Sequence, residues 1–173
     1  DDGSGNWFVS DNEFNTVWFF NRSASAVTRI GQTIPAGFAQ IVAGTGAFAS
    51  NFNTVSALDF ALFSPAGLAY DAAGDYLFVA NSGSHSVVRI GPDGIGKVVL
   101  GTFNVTNNTA TNTDGAASAS HSCVNPDGLA LKTSTNELFV NKYECQIPNP
   151  YSKGQVIRCL GTNESNNYSI QLI

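Results

Sequence analysis

Phe63-Ser-Pro-Ala-Gly-Leu-Ala-Tyr-Asp71, then Gly74-Asp-Tyr-Leu-Phe-Val-Ala-Asn81, Ser82-Gly-Ser-His85, Ser86-Val-Val-Arg-Ile90 and Lys97-Val-Val-Leu-Gly-Thr102 stand in the middle of a 173-residue chain. Each block is a short apolar-rich run bounded by Gly, Pro, Asp, Asn or Ser, which is the pattern of strands joined by tight turns. Pro fixes φ at the entry to the first run, and Gly two residues later permits close approach of a neighbouring backbone. Asp71 to Asp75 is a tight turn, and Ser82 to His85 is a hairpin turn.

The block recurs downstream as Val124-Asn-Pro-Asp-Gly-Leu-Ala-Leu131, Asn136-Glu-Leu-Phe-Val-Asn141, Gly154-Gln-Val-Ile-Arg-Cys159 and Ser169-Ile-Gln-Leu-Ile173. An upstream unit aligns with Trp7-Phe-Val-Ser-Asp11 set against Gly67 to Asp71, and Thr16 to Asn21 against Tyr76 to Asn81. Ala26-Val-Thr-Arg-Ile30 then falls on Ser86 to Ile90, and Ala39-Gln-Ile-Val-Ala-Gly-Thr45 closes the unit. The expectation is one all-β segment spanning 1–173, with four-stranded units at 5–45, 63–102 and 124–173. The third unit carries an insertion around Lys142 to Ser152.

The pattern P-x-G-L-A…G-D-Y-L-F-V-A-N-S-G-S-H-S-V-V-R-I resembles the NHL repeat, and the resemblance covers most of the chain. It implies four-stranded antiparallel blades of a β-propeller packed face to face. The first unit lacks the Pro-x-Gly entry and the turn histidine. Propellers typically have about four to eight blades, so about three do not close a ring. The outer faces of the first and last blades therefore need covering, either by a longer chain or by copies stacked head to tail. Strand addition at an exposed edge is a second way for subunits to join.

Composition narrows the function. Charged residues are 12% of the chain and the net charge is −5, which disfavours a nucleic-acid partner. No run of about 18 apolar residues is present, so no membrane span is expected. The absence of methionine suggests a start at a processed or internal residue. Five N-x-S/T sequons begin at Asn21, Asn104, Asn107, Asn163 and Asn167, all in expected loops or at strand ends, and they point to N-linked glycans on a secreted protein. The run Thr102 to Ser122 is a long connection dense in hydroxyls.

Cys123 precedes the first strand of the third unit and Cys145 follows its second. Those strands run antiparallel, so a Cys123–Cys145 disulfide would staple the inserted loop. Cys159 takes the position of Ile30 and Ile90 and is expected to be a small buried residue.

Candidate chemistry is sparse. His85 is expected to bond turn backbone, as the histidine commonly placed there in the family does, and His121 to lie in a solvated loop. An NHL-like lyase holds its metal with several histidines, and these two, on dissimilar elements, do not rebuild such a site. No nucleophile elbow or phosphate loop is present. Asp59, Asp71, Asp75, Asp114 and Asp127 are expected turn or loop residues. Asp11-Asn-Glu13 lacks the spaced oxygen ligands of a calcium loop. No catalytic, cofactor or metal residue is therefore assigned.

Trp7, Trp18 and Phe20 are the candidate interaction aromatics. Alternation sends the rings of this unit to both blade faces, and inter-blade packing is expected to claim most of them. The leading expectation is a non-enzymatic extracellular scaffold that associates with itself or with neighbouring propeller blades, in a surface or filamentous structure. A protein- or carbohydrate-binding propeller module of a receptor or adhesin is the alternative, and a metal-dependent lyase or hydrolase comes third.

Overall fold

The computed structural model describes residues 1–47, 54–101, 125–132, 134, 137–142, 156–161 and 168–172. Apart from one 3-10 turn at Ser82–Ser84, the regular structure among these is all β. The strands are β1 (Trp7–Asp11), β2 (Thr16–Phe20), β3 (Val27–Arg29), β4 (Gln32–Ile34), β5 (Ala39–Ala43), β6 (Val55–Ser56) and β7 (Pro65–Asp71). They continue as β8 (Tyr76–Asn81), β9 (Ser86–Ile90), β10 (Ile95–Leu100), β11 (Pro126–Lys132), β12 (Glu137–Lys142), β13 (Val156–Gly161) and β14 (Tyr168–Leu172). Three antiparallel sheets result: β1-β2-β5, then β6-β10-β9-β8-β7, then β11-β12-β13-β14. A separate β3-β4 hairpin stands beside them. These are partial propeller-like blades that form no closed barrel.

The Pro-x-Gly entries behave alike in the second and third sheets. Ser64 (φ 47°) and Asn125 (φ 44°) turn the chain in the left-handed region, and Pro65 and Pro126 then open edge strands where no ladder donor is needed. Pro65 pairs with Asn81 and Pro126 with Lys142, each followed by a bulge before Leu68 or Leu129. The strands β7 and β11 lie side by side. A Cβ placed on Gly67 would collide with the backbone of Asp127, Gly128 and Leu129, so glycine is what lets these strands approach.

The first sheet departs from the sequence alignment. Ala26–Ile30 does not supply its third strand. Ile30 (φ 44°) and Gly31 (φ 77°) make a tight turn that folds β3 back onto β4, and β5 pairs directly with β2. Trp7–Asp11 does not correspond to Gly67–Asp71 either. Phe8 packs toward the second sheet, against Tyr70 at 4.9 Å between ring centroids. Its counterpart is Phe78, which packs toward the third sheet.

Three further features fix that equivalence. Asn15 before β2 and His85 before β9 both have φ of 55°. The bulge between Val17 and Trp18 in β2–β5 matches the one between Leu100 and Val98 in β10–β9. Gly44 closes onto the Asn15 carbonyl as Gly101 closes onto that of His85. Accordingly β1, β2 and β5 occupy the second, third and fourth strand positions of a blade. Residues 21–38, with the hairpin, form an excursion between the last two. The first strand position is filled by β7 in the second sheet and β11 in the third, and by no described residue in the first.

Two apolar clusters lie between the sheets. Phe19, Val17, Val42, Ile30, Ile34, Phe60, Leu62, Leu77, Val79, Val88 and Ile90 form the larger, between the first and second. Phe78, Val87, Leu100, Leu138 and Val140 form the smaller, between the second and third. Removing such side chains from water contributes about 1.5–3 kcal/mol each.

Candidate functional site

The side of the first sheet turned away from the second is built from alternate residues of three strands. Trp7 and Val9 on β1 pair with Phe20 and Trp18 on β2, which pair in turn with Ala39 and Ile41 on β5. Their equivalents in the second sheet are Leu77, Val79, Ile90 and Val88, all 0% exposed beneath the first sheet. In the third sheet Leu138 and Val140 are buried beneath the second. Trp7, Val9 and Phe20 are 48%, 42% and 37% exposed. Positions that are core in the second sheet are thus open in the first. Phe8 and Phe19, 4.7 Å apart, face inward and are claimed by inter-sheet packing. Trp7, Trp18 and Phe20 are not.

A groove of about 410 Å³ runs over this face, lined by Val9, Asp11, Asn12, Trp18, Phe20 and Ala39 together with Ser10. Asp11 uses one carboxylate oxygen, Oδ1, to accept the N–H groups of Glu13 and Phe14, which holds the β1–β2 turn. At the far end the Arg22 guanidinium stacks 4.3 Å from the centre of the Trp7 ring. The sequence singled out the three aromatics. It missed Val9, which becomes visible once Trp7-Phe-Val is set against Leu77-Phe-Val and Leu138-Phe-Val, and Ile41, which the β2–β5 register brings beside Trp18.

Adjacent sheets are tied by a repeated polar contact. Asn15 Oδ1 accepts the Ser64 N–H at 2.8 Å, and His85 Nδ1 accepts the Asn125 N–H at 3.2 Å. His85 was expected to bond neighbouring turn backbone, and its own N–H closes its turn onto the Ser82 carbonyl at 3.0 Å. The imidazole instead holds the entry of the next sheet. Ser10 Oγ also donates to the Ala66 carbonyl at 2.7 Å, joining β1 to β7.

Asp75 does more than form a turn. One oxygen accepts the Tyr70 hydroxyl at 2.6 Å and the other the Ile30 N–H at 2.8 Å, so the carboxylate pins the hairpin to the second sheet. Burial, reinforced by that hydroxyl bond, pushes the Tyr70 phenol well above its ordinary pKa. Asp2 is also buried, and burial alone would raise its pKa. Hydrogen bonds from the Asn6 side chain, the Ser4 and Asn6 amides and Arg29 outweigh that and hold the carboxyl below its usual value.

Asn21 corrects the glycosylation reading. It is 2% exposed, and its Nδ2 donates at 2.9 Å to the carbonyls of Ser25, Ile34 and Pro35. A glycan on that nitrogen is incompatible with these bonds. The sequon looked like a strand end because β2 stops at Phe20, but the excursion folds over it. Asn104, Asn107, Asn163 and Asn167 lie outside the described residues, as do Cys123, Cys145, His121 and Asp114. Cys159 on β13 pairs in register with Leu138 and Ile170.

Among the described residues no group of three or more His, Cys, Asp or Glu converges on a metal-sized site. No helix among them is long and apolar enough to cross a membrane.

No family model and no curated protein matches the chain. Solved structures do. A structural-genomics protein of unknown function from Bacteroides thetaiotaomicron VPI-5482 superposes with a TM-score of 0.62 at 12% identity, over 98% of this chain and 33% of its own. An auxiliary nutrient binding protein from Bacteroides ovatus ATCC 8483 gives 0.52 at 12% identity, over 78% and 32%. The likeness is one of fold. This chain spans about a third of the length of each.

Proposed function

We propose that the chain is a non-enzymatic, NHL-like propeller segment that works as a scaffold, with the open face of its first sheet docking onto another blade. The observation that carries this is the pairing of exposed Trp7, Val9 and Phe20 with fully buried Leu77, Val79 and Ile90 at equivalent positions. A face of this kind is built to be covered. Covering the exposed parts of these three side chains and of Trp18 contributes at most about 1.5–3 kcal/mol each, against an association cost of about 4–15 kcal/mol.

The complementary surface is the far side of a third sheet. There Phe139 on β12 holds the register position that Phe78 holds on β8. Contact between unlike faces of identical copies is heterologous, so it generates rings where the rotation closes and filaments where it does not. The four sequons other than Asn21 and the low charge favour a secreted glycoprotein, assembled outside the cell.

The test is light scattering with electron microscopy of the purified chain across a hundredfold concentration range, alongside a Trp18→Ser/Phe20→Ser variant. Head-to-tail particles that dissociate in the variant support the scaffold. A chain that stays monomeric throughout overturns it.

The groove favours a second reading, a binding module in which Trp18 and Phe20 stack on a sugar and Asp11 and Asn12 accept its hydroxyls. The Bacteroides ovatus neighbour is described as a nutrient-binding protein. Saturable binding of an oligosaccharide by the monomer, lost in the same variant, would select this reading.

A further inference from the structure

The contacts that tie neighbouring sheets are alike in form and unlike in chemistry. At the first junction the acceptor is the Asn15 carboxamide oxygen, facing the Ser64 amide, and at the second it is the His85 imidazole, facing the Asn125 amide. Both acceptors stand at φ 55°, and each donor precedes the proline that opens an entry strand. A carboxamide oxygen accepts at any pH the fold survives. An imidazole nitrogen accepts only while the ring is neutral, and here that places the ring proton on Nε2. A second proton takes the lone pair on Nδ1, which then confronts the Asn125 N–H as one donor against another.

The charged residues on the elements around the ring are placed away from it. Arg89 lies further along β9, opposite Lys97 on β10, with its guanidinium over the Tyr76 ring at the start of β8, while His85 adjoins the end of that strand. Asp71 closes β7 at its far end. Lys132, opposite Glu137 in register, ends β11, and Lys142 takes the register position opposite Pro126. Asp127, past the entry on β11, is exposed. Among the described residues no carboxylate pairs with the imidazole to offset a lost bond.

We propose that His85 is an acid-sensitive latch between the second and third sheets: the neutral ring holds the entry of β11, and the protonated ring releases it. The held form carries no proton on Nδ1 and the released form can, so release takes up a proton and the junction weakens as pH falls. Imidazoles change charge between about pH 5 and 8, above the range in which carboxylates such as Asp2 respond. The first junction is also held by the Ser10 bond to the Ala66 carbonyl and by the Asp75 clasp on Ile30, over the larger apolar cluster. The second has the smaller cluster of Phe78, Val87, Leu100, Leu138 and Val140, and acid exposes it. The latch acts whether or not the first sheet docks.

The test is amide hydrogen exchange of the 173-residue chain at about pH 7.5 and about pH 5, corrected for the intrinsic pH dependence of exchange. Protection in β11 and β12 should fall about fivefold or more in acid relative to β1 and β2. His85→Asn, which keeps an acceptor, should abolish that fall, and His121→Asn should retain it. In the unaltered chain, the nitrogen chemical shift of Nδ1 should pass from acceptor to N–H over the same pH interval. Unchanged protection of β11 and β12, a fall that persists in His85→Asn, or an Nδ1 that remains an acceptor through that interval overturns the proposal.

Discussion

The Nδ1 atom of His85 accepts a hydrogen bond from the backbone N–H of Asn125, so the turn of one sheet holds the entry strand of the next. Asn15 makes the same connection to Ser64 one sheet earlier. Both residues sit at φ 55°, a conformation that Asn tolerates better than most side chains.

Replacing either with alanine removes a hydrogen bond and places a Cβ-bearing residue without local polar compensation in the left-handed region. We expect each alanine variant to lose about 1–3 kcal/mol in chemical denaturation. His85→Asn, which keeps an acceptor and tolerates the backbone, should recover more than half of that loss.

Gly67→Ala probes the closest approach of two sheets. Its Cβ would meet backbone atoms of Asp127 and Leu129 that cannot move aside as a side chain tip would. A loss of about 1–3 kcal/mol is expected. Hydrogen exchange should accelerate in β11 and β12 before it does in β1 and β2.

The glycosylation prediction is direct. When the chain is expressed through a eukaryotic secretory pathway, peptide mass spectrometry of the folded product should find Asn21 unmodified. Asn21→Ala, which leaves the Ile34 carbonyl without its buried donor, should cost about 1–3 kcal/mol.

Two ionisable groups predict opposite pH effects. Asp2 has a folded pKa below its unfolded value, so its contribution is present above the unfolded value and is lost as pH falls through the folded one. Acid should therefore release residues 1–6 from Arg29, seen as faster exchange at Asn6. Tyr70 has a raised folded pKa, so its contribution is complete below the unfolded value of about 10 and is lost as pH rises toward the folded one. Tyr70→Phe should flatten the alkaline limb of the stability curve and leave the acid limb unchanged.

The all-β fold and the Pro-x-Gly entries were legible because Pro, Gly and alternating apolar residues act locally, within a few positions of where they are read. The register of the first sheet was not read correctly. Asp11 to Asn15 and Asp71 to Asp75 are both turns opened by an Asp whose Oδ1 caps amide groups, and local turn chemistry does not say which pair of strands it joins. The deciding signal was present in Trp7-Phe-Val, Leu77-Phe-Val and Leu138-Phe-Val, and in the first two the Phe faces the following sheet. Burial of Asn21 depended on a hairpin excursion that pairs only with itself, which no repeat pattern anticipates.

That excursion has a kinetic consequence. Through Ile30 it reaches the Asp75 carboxylate, and Gly31 lies against Gly94, so the first two sheets are clasped by polar and backbone contacts beside their shared core. Repeat arrays whose neighbours interact equally melt from either end. This one should open from the third sheet, with the first two surviving as a single cooperative body.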